Sequence, residues 1–493
     1  MNILGINAYH GDASAALVVD GQLIAAVEEE RFNRIKHWAG FPGESVRWCL
    51  KRADIQAAEI DHVAVSFNPR ANLLRRVRFV ATHFPRPSAI IDRLYRQGKA
   101  LGIKEQFARA VGLPVSQLKA RFHQVEHHQT HVSAGFLISP FDEAAVLSVD
   151  GMGDFTSTLT AYAEGTDWKE LNRVYFPHSI GFLYTALTMY LGFPFYGDEY
   201  KVMGLAPYGE PEFCDVLRRM IYPAGDTFEL NLDYFTHHKR GVRMSWNDGA
   251  PIIEPFYSDR LVRELGPARK PADPTTPRHD NIARSLQVVT EEILMHLLRS
   301  LHRKTHCVNL CMTGGVAMNS VANGKITRET PFRNVYVPAG AADNGTSFGA
   351  AFYVWNRILG QPRSFVQDHA YLGCRASQSE TQKAAVDAKV PFEILTDQDL
   401  VNRTVDQILD GKVVGWFQGD MEFGARALGN RTLLADPRRT DMRDIINLRI
   451  KFREKFRPFA PSILESTFPN GLSWTNPRPT WRRSSPSESK NAR

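Results

Sequence analysis

The stretch that decides the predicted fold is residues 2–30, NILGINAYHGDASAALVVDGQLIAAVEEE. Three apolar segments alternate with two polar turns, AYHGD and DGQ, which is the pattern of three antiparallel strands joined by tight turns. The pattern returns at residues 144–162, AAVLSVDGMGDFTSTLTAY, where a Gly-Asp pair again lies between two apolar segments. Two such units in one chain predict a duplicated α/β fold.

The rest of the chain predicts further strands and helices around these units. Residues 279–305 repeat apolar side chains at helical spacing, and residues 307–315, CVNLCMTGG, predict a buried strand that ends in a glycine turn. Residues 44–140 predict helices and connecting loops, including a solvated basic helix at residues 68–79. The pattern weakens between residues 357 and 380, which predicts a domain boundary.

Composition narrows the class of protein. The chain has 493 residues, of which 43% are hydrophobic and 23% charged, values typical of a globular enzyme and not of a disordered or fibrous protein. No stretch is apolar enough to span a membrane, and His10 and Asp12 lie where a signal peptide needs its apolar segment, so we expect a cytoplasmic protein. The five cysteines include no CxxC pair, which argues against a cysteine zinc site.

The net charge of +7 is unevenly distributed. Residues 426–493 contain 15 Lys and Arg against six Asp and Glu, a net charge of +9, so residues 1–425 carry −2. A general nucleic-acid-binding protein usually spreads its basic residues over one face of the fold, whereas a short Arg-rich tract can equally bind the phosphates of a small substrate. The candidate anion-binding residues in this region are Arg426, Arg431, Lys451, Arg453 and Arg457, for which the alternative interpretation is a solvated basic face that could contact RNA.

A pair of histidines suggests a metal site. His127 and His131 are four residues apart, so on a helix both imidazoles project from one face, whereas His128 points elsewhere. Asp343 is a candidate third ligand because it lies in a glycine-rich turn that enters a helix. The alternatives are a chance histidine spacing and an aspartate that caps the helix.

Three glycine-bearing turns could converge on one nucleotide. They are residues 7–14, residues 150–153 and residues 312–319, each of which follows an apolar strand. Backbone N–H groups in such turns can face a phosphate, and no Walker loop or GxGxxG fingerprint is present in these segments. A plain strand-to-helix turn is the alternative for each one taken alone.

Together these motifs resemble the O-carbamoyltransferase family of the nodulation, tobramycin and cephamycin type. The matching stretches run in the family's order from residue 1 to about residue 465: NAYHGDASAALVVDGQLIAAVEEERFNRIKH, EHHQTHVSAGF, GFLYTALTMYLGFPFYGDEYKVMGLAPYG, TGGVAMNSVANGKI, AADNGTSFGAA, FGARALGNRTLLADPR and IKFREKFRPFAPSIL.

The resemblance implies a domain organisation. Residues 1–360 would form an N-terminal carbamoyltransferase domain with a duplicated actin-like ATPase (RNase H-like) fold, followed by a linker at residues 361–385. Residues 386–465 would form part of an α/β domain similar to threonylcarbamoyl-adenylate synthases. Residues 466–493 are expected to be a disordered or out-of-frame tail, which leaves that domain incomplete.

The resemblance also implies a reaction. The C-terminal domain would make carbamoyl adenylate from ATP and carbamoyl phosphate, and the N-terminal domain would pass the carbamoyl group to a hydroxyl of a sugar-like or natural-product acceptor. A divalent metal, with Fe²⁺ the family's expected ion, would be the cofactor, and a homodimer is compatible with the resemblance.

The resemblance assigns roles by residue. His10 matches a family histidine and is the candidate general base, with a turn residue bonded to its own backbone as the alternative. His127, His131 and Asp343 would be the metal ligands. The nucleotide would contact Asn7, Asp12, Asp150, Gly151, Gly153, Gly314, Gly315 and Asn319, and carbamoyl phosphate the five basic residues Arg426, Arg431, Lys451, Arg453 and Arg457.

Two other interpretations stay open. A tRNA threonylcarbamoyl-type transferase shares the first domain's fold, although residues 197–209, GDEYKVMGLAPYG, resemble the small-molecule enzymes instead. The chain could also be an inactive nucleotide-binding remnant, because the family's further C-terminal strands and an NTSFN-like motif do not follow residue 464.

Overall fold

The computed structural model describes residues 1–87, 102–245 and 251–463. The described residues fall into two compact units, an N-terminal unit from Met1 to His369 and a C-terminal unit that begins at Ala370. The segment predicted as a linker, residues 361–385, is therefore divided between the two units. The tail predicted from residue 466 lies outside the described residues.

Sixteen strands are present in the described residues. They are β1 (Asn2–Asn7), β2 (Ser14–Val19), β3 (Gln22–Glu28), β4 (His62–Val65), β5 (Arg121–Gln124), β6 (Glu143–Gly153), β7 (Thr156–Glu164), β8 (Asp167–Tyr175), β9 (Ile221–Ala224), β10 (Thr227–Leu230), β11 (Met244–Ser245), β12 (Ile252–Ile253), β13 (Asn309–Thr313), β14 (Asn334–Tyr336), β15 (Val414–Phe417) and β16 (Arg431–Leu434).

The α-helices of the described residues follow in chain order. They are α1 (Glu30–Asn33), α2 (Gly43–Ala53), α3 (Leu73–His83), α4 (Ile103–Val111), α5 (His127–Phe136), α6 (Ile180–Tyr190), α7 (Glu199–Leu205), α8 (Cys214–Met220), α9 (His237–Arg240), α10 (Asp259–Leu265), α11 (Pro277–Thr305), α12 (Ser320–Asn323), α13 (Ile326–Glu329), α14 (Thr346–Phe352), α15 (Gln378–Asp387), α16 (Asp397–Leu409) and α17 (Met442–Asp444). None of them is long and apolar enough to cross a membrane.

Two five-stranded sheets repeat one topology. The first has the order β3-β2-β1-β4-β5, and the second has the order β8-β7-β6-β13-β14. In each sheet the first three strands are antiparallel neighbours, and the last two run parallel to the central strand. This duplication of an α/β unit is the predicted actin-like arrangement, and it confirms the repeat inferred from the two Gly-Asp turns.

The prediction of helices and loops for residues 44–140 was wrong in one respect, because that region also contributes β4 and β5. Each strand has only four residues, and β4 is mostly buried. Segments this short show no periodicity that distinguishes a strand from a loop. The basic helix within this region is present as α3, whose only buried residue is Phe79.

Helix α14 packs closely against α5 and β1 in the N-terminal unit. The reason is the small side chains of the TSFGAAF segment: a Cβ on Gly349 would lie 2.1 Å from the carbonyl oxygen of Thr130 in α5. Ser14 at the start of β2 donates from its Oγ to the carbonyl oxygen of Asn344, 2.7 Å away. This packing brings the start of α5 and the turn before α14 to one place.

The C-terminal unit has a smaller core. Its β15 and β16 form an antiparallel hairpin, and α15 and α16 contain no buried residue. The buried side chains of its described part include Phe423, Met442 and Ile446.

Candidate metal and nucleotide site

The two predicted histidine ligands lie at the first two turns of α5. Their Nε2 atoms are 3.0 Å apart, and both side chains are fully buried. Oδ1 of Asp343 is 3.5 Å from each of these nitrogens. Asp343 occupies a 3₁₀ turn ahead of α14, and no side-chain capping bond is formed in that turn. Its carboxylate therefore faces the histidines and does not cap the helix.

Asp150 is a fourth member of the cluster, a role that sequence reasoning missed. Its Oδ2 is 3.6 Å from Nε2 of His127, and its Oδ1 accepts a hydrogen bond from the backbone N–H of Gly315 at 2.8 Å. One ligand atom from each of the four residues lies within 4.8 Å of the others. The signal available in the sequence was the glycine-bearing segment 150–153, predicted as a turn, which in the structure is the irregular end of β6.

The cluster fits a divalent metal ion. Ligand atoms about 2.0–2.2 Å from a common ion lie roughly 2.8–3.6 Å from one another, and the contacts between the ligand atoms given above, 3.0 to 3.6 Å, fall within that range. Oδ1 of Asp343 is buried and has no hydrogen-bond partner among the described residues. A cation among these atoms would satisfy that oxygen, since a buried carboxylate is costly unless it is paired and hydrogen-bonded or coordinates a metal.

The electrostatics of the cluster are those of a cation site. Burial alone would lower the pKa of His127, but Asp150 and Asp343 raise it well above its ordinary value. Burial would likewise raise the pKa of Asp343, but His127 and His131 lower it well below its usual range. The carboxylates therefore stabilise positive charge at the centre of the cluster.

His128 lies outside the cluster, as its helical position predicts. Its Nδ1 is 2.8 Å from Oγ of Ser148, and its Nε2 is 3.1 Å from the carbonyl oxygen of Thr156. Both ring nitrogens are thus used within the core.

His10 lies beside the metal cluster in the turn between β1 and β2. Its ring centroid is 4.7 Å from that of His127. Burial, reinforced by the charge of His127, lowers the pKa of His10 to about 4. The imidazole is therefore neutral near pH 7 and has a lone pair that can accept a proton.

Asn7 and Asp12 shape this same turn. The side-chain amide of Asn7 donates to the carbonyl oxygens of Gly11 and Asp12, at 3.0 and 3.1 Å. The carboxylate of Asp12 is 2.6 Å from Nδ1 of His37. Both residues lie in the turn that contains His10, and the side-chain amide of Asn7 forms its hydrogen bonds within that turn.

The predicted nucleotide-binding glycines allow backbone to approach the cluster. A Cβ on Gly153 would lie 2.0 Å from Cδ2 of His127. Gly314 has a φ of +88°, and a Cβ there would lie 2.1 Å from the carbonyl oxygen of Val149. A side chain at either position would push the turn away from the metal ligands. Gly151 lies with Gly153 in the end of β6, and Gly315 follows Gly314 in the turn after β13.

Asn319 lies in the third turn but is occupied by protein contacts. Its Oδ1 accepts from the backbone N–H of Ala322 at 3.1 Å, and its side-chain amide exchanges two hydrogen bonds with Gln287. It therefore caps α12 in this structure.

Tyr196 is a further residue that the sequence did not single out. Its ring lies against the backbone of the first turn, because a Cβ on Gly11 would be 2.4 Å from the phenol oxygen. Burial, together with the charges of Asp343 and Asp12, raises its pKa well above the ordinary value. The phenol therefore keeps its proton, and its position in the segment PFYGDEYK was the available signal.

The five residues predicted to bind carbamoyl phosphate belong to the C-terminal unit and differ in their contacts and exposure. Arg431 donates to the carbonyl oxygens of Cys374 at 2.8 Å and Gly419 at 3.2 Å, and its guanidinium lies 3.5 Å from the ring centroid of Phe417. Arg426 is exposed. Arg431 thus stabilises the fold around the hairpin.

Lys451, Arg453 and Arg457 form a positive cluster. Burial, followed by the charges of the two arginines, lowers the pKa of Lys451. Nε of Arg453 donates to Oδ1 of Asn447 at 2.7 Å, and Arg457 is 3.2 Å from a carboxylate oxygen of Glu454. Converging cations of this kind are suited to an anion.

Family models match both parts of the chain. A model described as carbamoyltransferase N-terminus matches residues 2–352, and one described as carbamoyltransferase C-terminus matches residues 405–485. The second match extends into the segment predicted as a tail.

Similar proteins are known from several organisms. The chain is 37% identical over 495 residues to an uncharacterised protein of Synechocystis sp., covering 97% of this chain and 78% of that protein. It is 37% identical over 463 residues to nodulation protein NolNO of Sinorhizobium fredii, covering 93% of this chain and 63% of that protein. The solved structure of T. kodakarensis HypF is 14% identical, with a TM-score of 0.36, covering 73% of this chain and 48% of HypF. The family-model matches and the identity to these relatives place this chain in the carbamoyltransferase family of enzymes.

Proposed function

We propose that this protein is an ATP-dependent O-carbamoyltransferase that uses carbamoyl phosphate and modifies a hydroxyl of a sugar-like or natural-product acceptor. The observation that carries the proposal is the cluster of His127, His131, Asp150 and Asp343 with a neutral His10 beside it. Family membership supports the carbamoyl group as the group transferred.

The first step activates the carbamoyl group. Water cleaves carbamoyl phosphate to carbamate and inorganic phosphate. A carbamate oxygen then attacks the α-phosphorus of ATP, the bond between the α-phosphorus and the bridging oxygen breaks, and pyrophosphate leaves, which gives carbamoyl adenylate. Lys451, Arg453 and Arg457 would bind the phosphate oxygens of the substrates, because guanidinium and ammonium groups pair with such oxygens.

The second step transfers the group. The acceptor oxygen attacks the carbamoyl carbon, the bond from that carbon to the adenylate oxygen breaks, and AMP leaves. His10 takes the proton of the attacking hydroxyl, since its neutral imidazole leaves one ring nitrogen unprotonated. The turns that contain Gly153 and Gly314 would bring backbone N–H groups to the adenylate phosphate.

The metal ion is part of the proposal, with Fe²⁺ as the expected ion. His127, His131, Asp343 and Asp150 would hold it, and two imidazole nitrogens with two carboxylate oxygens are also accepted by Zn²⁺ and Mn²⁺. When bound, such an ion acts as a Lewis acid on phosphate or carbamoyl oxygens.

The test measures pyrophosphate released from ATP by the purified chain, with and without carbamoyl phosphate. Separate samples contain Fe²⁺ under anaerobic conditions, Zn²⁺ or Mn²⁺. Release that depends on carbamoyl phosphate is expected. A folded chain that binds ATP and releases no pyrophosphate under any of these conditions would contradict the proposal and favour the inactive remnant.

His10→Gln separates the two steps. We expect this variant to keep pyrophosphate release and to lose carbamoyl transfer by about 10²- to 10⁴-fold, because His10 acts only on the acceptor hydroxyl. Transfer is followed with ¹⁴C-carbamoyl phosphate and a panel of sugars, with tRNA in a parallel sample. Labelling of tRNA in place of sugars would favour the threonylcarbamoyl-type interpretation.

A further inference from the structure

Two consecutive residues beside the metal cluster have backbone conformations that side chains disfavour. Asp154 has a φ of +47° and Phe155 a φ of +76°, in the turn between β6 and β7. Non-glycine residues in this left-handed region are strained, and the strain persists only where the surroundings hold the chain in place. Asp150 lies four residues earlier, in the irregular end of β6, and Gly153, the last residue of that strand, directly precedes the strained pair.

The strained turn is fastened to α5 and to the segment before α3. Oδ2 of Asp154 accepts hydrogen bonds from the backbone N–H groups of Asn68, at 2.7 Å, and of His127, at 3.0 Å. The side-chain amide of Asn72 donates to the carbonyl oxygen of Asp154 at 2.9 Å. The carboxylate therefore connects the turn directly to the residue that bears the first metal ligand.

Helix α3 supplies the other contacts. Its Phe79 lies edge-on to Phe155, with ring centroids 5.6 Å apart, and both rings contact Phe176. NH2 of Arg76 is 3.6 Å from Oδ1 of Asp154, and both side chains are largely buried. Arg76 and Phe79 are three residues apart, so they project from one face of the helix.

Other residues of α3 do not share this role. Phe79 and the largely buried Arg76 are on the inward face of the helix, whereas Leu74 and Val77 are 88% and 67% exposed. One face of α3 thus contacts the turn of the metal site, and the remainder faces solvent.

We infer that Arg76 is a positioning residue for the metal centre. With Phe79 it holds the turn of Asp154 and Phe155, so that Asp150 and Gly153 at the end of β6 stay against His127. The inference rests on the proposed metal site and adds to it a residue that does not contact the ion. Loss of the guanidinium would release the turn and widen the spacing of the ligands.

The test is Co²⁺ binding to the full chain, followed by the d–d absorption bands of the ion. Arg76→Met should weaken Co²⁺ affinity by about 10- to 100-fold, the usual effect of residues that support metal ligands, and should shift the bands. Arg78→Met is the matched control, because Arg78 is on the same helix and exposed. Arg76→Lys should restore part of the affinity.

Thermal unfolding of the metal-free variants shows whether Arg76→Met is folded. If it is not, Asn72→Ala removes the side-chain hydrogen bond to the carbonyl oxygen of Asp154 without a change of charge. This variant should also weaken Co²⁺ binding. Unchanged affinity and spectrum in folded Arg76→Met and Asn72→Ala would overturn the inference alone. Failure of the unaltered chain to bind Co²⁺ would overturn the proposed metal site, and the inference with it.

Discussion

At the residue scale, the metal cluster concentrates two carboxylates around two buried imidazoles. The short separation between the Nε2 atoms of His127 and His131, 3.0 Å, is favourable when a cation or a shared proton lies between them and the carboxylates. Without such a charge, Asp150 and Asp343 would repel each other. The binding of a cation is therefore the property most sensitive to single substitutions here.

Asp150→Asn tests the fourth ligand. The amide keeps the shape and the acceptor for Gly315 N–H but removes a negative charge, so we expect Co²⁺ affinity to fall by at least about tenfold, roughly 1.4 kcal/mol. Isothermal titration of Co²⁺ measures the change. Asp142→Asn, at an exposed aspartate, is the control and should bind normally. Equal affinities in both variants would remove Asp150 from the ligand set.

The pair of Asp12 and His37 predicts a pH-dependent contribution to stability. Burial would lower the pKa of His37, but the adjacent Asp12 carboxylate raises it above the ordinary value. Because the pKa of His37 is higher in the folded state than in the unfolded state, its protonated form stabilises the fold. This stabilisation is complete below the unfolded-state pKa of about 6.5 and is lost as the pH rises through the folded-state pKa.

His37→Gln should therefore destabilise the protein more at pH 6 than at pH 9. A charge-assisted hydrogen bond of this kind contributes about 1.5–3 kcal/mol when formed. Urea unfolding of the variant and the unaltered protein at the two pH values gives the difference. A loss of stability that is the same at both pH values would show that the pair is not ionic.

At the element scale, the site depends on how closely α5 and α14 approach. His127 and His131 are on α5, and Asp343 directly precedes α14, so the distance between the two helices sets the geometry of the ligands. Gly349 permits that distance.

Gly349→Ala should separate the helices. The added methyl group would lie 2.1 Å from a backbone oxygen, which cannot move without the helix, and we expect a loss of about 1–3 kcal/mol of unfolding free energy together with weaker Co²⁺ binding. Gly324→Ala is the control, because its nearest neighbour would be at an ordinary 3.5 Å. Thermal unfolding and Co²⁺ titration check both variants, and a fully stable Gly349→Ala would contradict this account.

At the scale of the whole molecule, the metal cluster and the positive cluster belong to separate compact units. Their substitutions should therefore have separable effects. A change in the C-terminal unit is expected to alter use of carbamoyl phosphate and to leave the metal centre intact.

Lys451→Met tests this separation. Removal of its ammonium group should raise the KM for carbamoyl phosphate in the pyrophosphate assay by about tenfold, with unchanged Co²⁺ affinity. Lys455→Met, in the same segment, is the control and should leave the KM unchanged. If Lys451→Met leaves the KM unchanged, this lysine does not bind the substrate.

The sequence by itself determined the duplicated fold, the strands of the first antiparallel unit, the first two strands of the second, the common face that His127 and His131 occupy in a helix, and the family of the chain. These features follow from local patterns: alternation of apolar and polar residues, the four-residue spacing of two histidines, and long motifs in a known order. The short strands β4 and β5 were not predicted, because four residues show too little periodicity to identify a strand.

Tertiary structure alone decided which residues meet. Asp150 joins the histidines because β6 is paired with β13 and the end of β6, at Gly153, lies against His127 of α5, a contact between residues far apart in the chain. Arg431 donates a hydrogen bond to a backbone carbonyl oxygen, and Arg76 and Phe79 of α3 contact Asp154 and Phe155. These contacts likewise depend on distances in space. No local pattern encodes such distances, because they depend on how whole elements pack.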